Sequence, residues 1–379
     1  MRVPYRRILI WSVVLIALVA LAYHARGMVH GGHFSWTRLV QSVREAKFSG
    51  LLLGLITIYV AYFIRAIRWK CFSHHIGPSS LIGIYRSTII GFAAVFVLGR
   101  AGEPVRPLLI ARKEKMPVSS MFGIYVLERL FDVCATAVLA GISLLLFPEM
   151  MSLSGANPAG EARARTAGLF LLAGLVAAVG FLVYFRLHGA GALARRLKSW
   201  HARGGWRVKV ATAFTGFSDG LQAIRSFSDL GEAVFYTAAH WAVIALAYFL
   251  VIRSFGGDLA QIDFPGAMLV LAFTMVGSAL QIPGVGGGSQ IASFIAFTSI
   301  FGIDTEPALA ASLVLWLVTF AASSLVGIPL AIHEGWSVGE LRDLAHAESK
   351  AEAAGKHVST AKLSHSPHTP AKSTGDSRR

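Results

Sequence analysis

Apolar residues in this chain arrive in long unbroken runs. Six of them, at about 8–25, 49–69, 119–147, 167–187, 231–252 and 307–332, approach the ~20 residues that a helix needs to cross a bilayer. None alternates apolar with polar at the period of a membrane β-strand, which argues against a barrel. Two further runs are interrupted. The run 81–98 ends in LGRAGEPVRP (98–107), and the run 265–303 is broken in its middle by IPGVGGGSQ (282–290). Gly/Pro-interrupted segments of this kind point to transport sites. The pattern predicts an all-α polytopic membrane protein with about six full transmembrane helices and two broken or re-entrant helical segments. The two breaks suggest an inverted repeat. The membrane domain is expected over 1–333, and the polar stretch 334–379 reads as a disordered tail.

Charge sets the orientation. Suppose that the N-terminus is cytoplasmic and that both broken runs return to the side they came from. Most of the 35 Lys and Arg residues then fall on the cytoplasmic side. This predicts a multi-pass protein of the cell (inner) membrane with both termini cytoplasmic. LGRAGEPVRP would sit at the cytoplasmic mouth of one re-entrant hairpin, and the second break would enter from the opposite face. The net charge of +15 would suggest nucleic acid on a soluble protein. Here the positive-inside rule accounts for it, and no nucleic-acid partner is expected. The basic stretch Gly189 to Ser228 reads as a segment on the inner leaflet. The run from Ile8 to Tyr23 reads as a retained first helix rather than a signal peptide.

Three charged clusters and one glycine run are the candidates for chemistry. Arg65 and Arg68 share a helix face at the inner end of the second run, either as interfacial anchors or as phosphate ligands. Arg100, Gly102, Glu103 and Arg106 stand at the first break. Guanidinium forks suit phosphate or carboxylate there, and Glu103 is placed to pair with an arginine or accept a cationic headgroup. Glu128, Arg129 and Asp132 fall on one side of an apolar helix. If Arg129 pairs with Asp132, Glu128 is left as a spare acid for a headgroup amine or a proton. Gly286, Gly287 and Gly288, with Gln290 after them, can aim backbone N–H groups inward as an anion nest, with Ser289 capping the half-helix that follows. Cys71 and Cys134 give neither a disulfide framework nor metal spacing. There is no Walker A motif, no cofactor or metal signature, and the longest cytoplasmic loop is too short for a catalytic domain, so an enzyme is not expected.

Taken in order, RAIRW, GRAGEPVRPLLIARK, ERLFD and PGVGGGSQ resemble the flippase-like membrane family that includes the transmembrane region of lysylphosphatidylglycerol synthases. The likeness spans roughly residues 8–333 and lacks the soluble synthase domain. It implies movement of a lipid between leaflets without nucleotide hydrolysis. The partners implied are membrane lipids with an anionic, aminoacylated or polyprenyl-phosphate headgroup. It also adds weight to Arg100, Gly102, Glu103, Arg106, Glu128, Arg129 and Asp132. Two positions depart from the family. Gln290 stands where a Glu is common, and Gly99 where a Pro is common. The alternatives are a membrane-embedded enzyme on lipid-linked sugars, with Glu128 and Asp132 as its carboxylates, or a non-transporting scaffold of an envelope-lipid pathway.

Overall fold

The computed structural model describes residues 34–152, 224, 226–278, 280–282, 286–336 and 339–340, with four isolated positions between 166 and 176. The expected first helix at 8–25, the span at 167–187 apart from those four positions, the basic stretch from 189 to 223 and the tail beyond 340 lie outside the described residues.

A short amphipathic helix, α1 (Trp36–Glu45), precedes the first described span, α2 (Phe48–Ser73). The chain continues through α3 (Leu81–Leu98), a tight 3-10 turn (Gly99–Gly102), α4 (Val105–Lys113) and the long α5 (Val118–Ser152). After the undescribed stretch come α6 (Phe227–Ser254) and α7 (Phe264–Gly277). A two-residue antiparallel bridge follows, Gln281 opposite Gly287 and Ile282 opposite Gly286, and leads into α8 (Gly288–Ile295). The last elements are α9 (Thr305–Trp316) and α10 (Ala322–His333), continuous through a π turn at Leu317–Ala321. Five segments are long and apolar enough to cross a membrane: Phe48–Ser73, Leu81–Gly102, Val118–Leu146, Phe227–Ser254 and Thr305–His333.

Local chemistry starts these helices where the sequence offers a cap. The Ser80 hydroxyl accepts from the Gly83 amide, and Asp263 accepts from the Gly266 amide at 2.8 Å. Ser226 and Asp229 form a reciprocal capping box.

Length alone would let Leu81–Gly102 cross the bilayer, but its packing shows a different path. The Ser80 amide donates to Glu114 Oε2 at 2.7 Å, so the start of α3 and the end of α4 lie together. The chain goes in and comes back. Two glycines make this hairpin. Gly99 closes α3 at φ 63°, ψ −145°, a conformation that only glycine takes without strain. A Cβ on Gly102 would sit 2.3 Å from the Ala94 carbonyl oxygen, so nothing larger fits between the limbs. The second break has the same design. A Cβ on Gly277 would sit 2.2 Å from the Gly288 carbonyl oxygen where α7 meets α8, and one on Gly266 would touch the Phe301 ring. This limb pair also returns to its starting face.

The two hairpins come from opposite faces. His75 and Asp229 touch at the α2 end and the α6 start, and Lys113 pairs with Glu334, which fixes one face. The Lys47 amide donates to the Ser254 carbonyl and the Ser35 amide to Glu306, which fixes the other. The first hairpin opens on the former and the second on the latter. Buried cores lie around both: Trp69, Phe72, Ile84, Ile110, Met121 and Ile124 on one side, and Val251, Ile252, Leu271 and Phe297 on the other. Outward positions such as Leu52, Leu53, Ile56, Val60 and Phe63 on α2 stay exposed, as a lipid-facing surface requires.

Candidate functional site

α2 presents Arg65 and Arg68 on one face, one turn apart, and α5 presents Glu128 and Asp132 on the facing side. Arg65 donates Nε to Glu128 at 2.7 Å and Nη2 to Asp132. Arg68 donates Nη2 to both carboxylates at 2.9 Å and Nη1 to the Thr237 hydroxyl, also at 2.9 Å. Arg106, on the return limb of the first hairpin, reaches the same Glu128 carboxylate. Its guanidinium lies over the rings of Trp69 (5.0 Å), Tyr125 and Phe92. Trp241 Nε1 donates to Asp132 at 3.2 Å. About 15 Å of helix separates Val118 from Glu128, which places the cluster well inside the span.

The interfacial-anchor reading of Arg65 and Arg68 is therefore wrong. Both are buried, Arg68 completely. The spare-acid reading of Glu128 is also wrong. Glu128 is fully buried and accepts from Arg65, Arg68 and Arg106, so it is not an unpartnered acid awaiting an amine or a proton. A spacing argument within one helix cannot see arginines that arrive from two other helices.

Arg129 differs from its neighbours. It stands 3.4 Å from Asp132 and 3.7 Å from Glu128, yet its side chain keeps 40% of its exposure. Its guanidinium lies 5.3 Å from the Tyr125 ring centroid, and its Nε has no hydrogen-bond partner. The Tyr125 hydroxyl donates to Glu103, and Arg100 donates to the same carboxylate at 2.6 Å. Arg100, with nearly half its side chain exposed, also donates to the Ser278 carbonyl at 2.7 Å. The tips of the two hairpins are joined there.

The glycine run lies at the second tip. Its amides are already used: Gly287 donates to the Gln290 side chain and Gly288 to the Leu280 carbonyl. Gly286 and Gly287 form the short bridge. The anion-nest expectation fails at Gly287 and Gly288, and the cap of α8 is Gly287 rather than Ser289. The structure shows no hydrogen bond from Gly286, Gly287, Gly288 or Gln290 to the charged cluster among the described residues; the second tip meets it at Ser278, whose carbonyl accepts from Arg100. Sequence reasoning missed Tyr125, and in α6 Thr237, Trp241 and His240, whose Nδ1 lies 2.9 Å from the Ala61 carbonyl of α2. The signal was present in α6, where three polar-capable residues interrupt an apolar run. Cys71 and Cys134 are not joined in a disulfide.

A buried network of arginines and acids at a break between two membrane hairpins is a distinctive arrangement. The profile of the family described as lysylphosphatidylglycerol synthase TM region matches residues 8–327. The chain belongs to this family. A UPF0104 membrane protein of Methanothermobacter thermautotrophicus is 22% identical over 308 residues, covering 76% of this chain and 84% of that protein. The family is one of integral membrane proteins, and the helical architecture here agrees with it.

Proposed function

We propose that this chain is a lipid transporter of the cell's inner membrane, with both termini cytoplasmic. It would move a phospholipid or lipid-linked anionic headgroup between leaflets without nucleotide hydrolysis. One observation carries this reading. Among the described residues, four guanidiniums (Arg65, Arg68, Arg106 and Arg129) converge on only two carboxylates (Glu128 and Asp132). An excess of two positive charges inside a membrane domain is costly unless an anion balances it. Guanidinium forks match a phosphate group. Arg129 and Arg100 are the two whose side chains stay partly open, so they are placed to meet it first. The acyl chains would remain against the exposed apolar faces.

This charge balance favours the phosphate over the amine of an aminoacylated headgroup. Glu103 is the acid nearest the tip, and Tyr125 and Arg100 already occupy it. The enzyme alternative gains nothing from the geometry, because saturated carboxylates are poor acids and bases.

The test is movement of labelled lipids in proteoliposomes holding anionic, zwitterionic, aminoacylated and polyprenyl-phosphate lipids. Wild type is compared with Arg129→Gln at equal folded amount. Selective movement of the anionic lipids, slowed at least tenfold by the substitution, is expected. Movement of no lipid, or movement indifferent to Arg129, overturns the proposal.

A further inference from the structure

The face that carries Ser80 and Glu114 holds a second group of polar side chains, away from the arginine network. His74 caps the end of α2 and His75 follows it, while Asp229 lies in the first turn of α6. One ligand atom from each of the three lies within 4.8 Å of the others. His75 Nε2 is 3.0 Å from Asp229 Oδ2, which also accepts from the Ser226 amide at 2.9 Å. The two imidazoles are 3.6 Å apart between ring centroids. His74 is exposed, and His75 and Asp229 are partly so, which leaves the group open to solvent.

We propose that His74, His75 and Asp229 form a binding site for a divalent transition metal, with Zn²⁺ the best match. Two imidazoles and one carboxylate are a donor set that suits this ion. The ligand atoms of a tetrahedral zinc are ~3.3 Å apart, so a small inward movement of exposed side chains closes the site. His74 is already oriented for it. Its Nδ1 is 3.0 Å from the Cys71 carbonyl, so Nδ1–H donates there and Nε2 keeps its lone pair. Metal-bound histidines are held in this way, with the distal ring nitrogen donating to a backbone carbonyl. His75 needs only a tautomer change: the metal takes Nε2 and the ring proton moves to Nδ1. The fourth position is left for water, with the Cys71 thiol and Glu232, which contact each other, one turn away on the same two helices.

The location gives the site a consequence. It joins the end of α2 to the start of α6, and these helices supply Arg65, Arg68, Thr237 and Trp241 to the network. A bound metal fixes the two helices at this face and leaves the network itself unchanged.

The experiment uses the full chain without an affinity tag, purified in detergent and treated with chelator. Zn²⁺ binding is followed by calorimetry, and Co²⁺ binding by its visible absorption. Wild type is compared with His74→Ala/His75→Ala and with Asp229→Asn, which keeps a cap for α6. One metal per chain bound more tightly than about 10 μM is expected for wild type, with a rise in melting temperature on adding Zn²⁺. Both variants should lose that one equivalent and the rise, while melting like wild type without metal. Binding that is absent in wild type, or that survives the double substitution, belongs to no such site and overturns the proposal.

Discussion

Arg100, at the tip of the first hairpin, donates to the main-chain carbonyl of Ser278, at the tip of the second, at 2.7 Å. Each hairpin opens on its own face, so this bond joins elements that begin on opposite sides of the protein. It also holds Arg100 beside Glu103, and through Tyr125 it connects the joint to Arg129.

The hairpin geometry makes a labelling prediction. Cysteines placed at Ser79 and Lys115, with Cys71 and Cys134 replaced, should react with an impermeant maleimide from one side of a sealed vesicle. A cysteine at Asp258 should react only from the other side. Labelling of positions 79 and 115 from opposite sides would mean that Leu81–Gly102 crosses the bilayer.

Glu128 accepts from three arginines, so its removal has a structural cost. Glu128→Gln should lower stability by about 3–5 kcal/mol, because breaking a buried pair leaves charges without partners. Thermal unfolding in detergent measures this. Arg129→Gln should melt close to wild type, since that side chain is 40% exposed and gives Glu128 no close hydrogen bond. Equal melting of Glu128→Gln and wild type would show that the carboxylate is dispensable to the fold.

Glu103 ties the tip of the first hairpin to α5 through the Tyr125 hydroxyl. Tyr125→Phe removes that hydrogen bond to a charged acceptor and should lower stability by about 1.5–3 kcal/mol. Thermal unfolding in detergent measures the loss. An unchanged melting temperature would contradict the role assigned to Tyr125.

The elements were legible because burial in lipid writes long apolar runs, and 48–73, 227–254 and 305–333 differ from their sequence ranges only at the ends. The breaks were legible as well, because Gly and Pro mark them. What the sequence hid was pairing across helices. Glu128 looked unpartnered beside Arg129 and Asp132, and only the packing of α2 and α4 brings Arg65, Arg68 and Arg106 to it. Likewise the glycine run looked like a set of free amides until Leu280 and Gln290 were seen to take two of them.

The spread of the network along the chain bears on its synthesis. Arg65 and Arg68 emerge first, and their carboxylates follow some sixty residues later, with Thr237 and Trp241 last. During that interval two arginines on a newly made helix have no acid to meet, and at a helix centre each would cost about 2.5–3.5 kcal/mol to insert. The partners that hold Arg65 and Arg68 in the finished fold thus come from a part of the chain made later. A chain cut before α5 is expected to leave both guanidiniums unpaired, and a substitution in α5 to disturb the setting of α2.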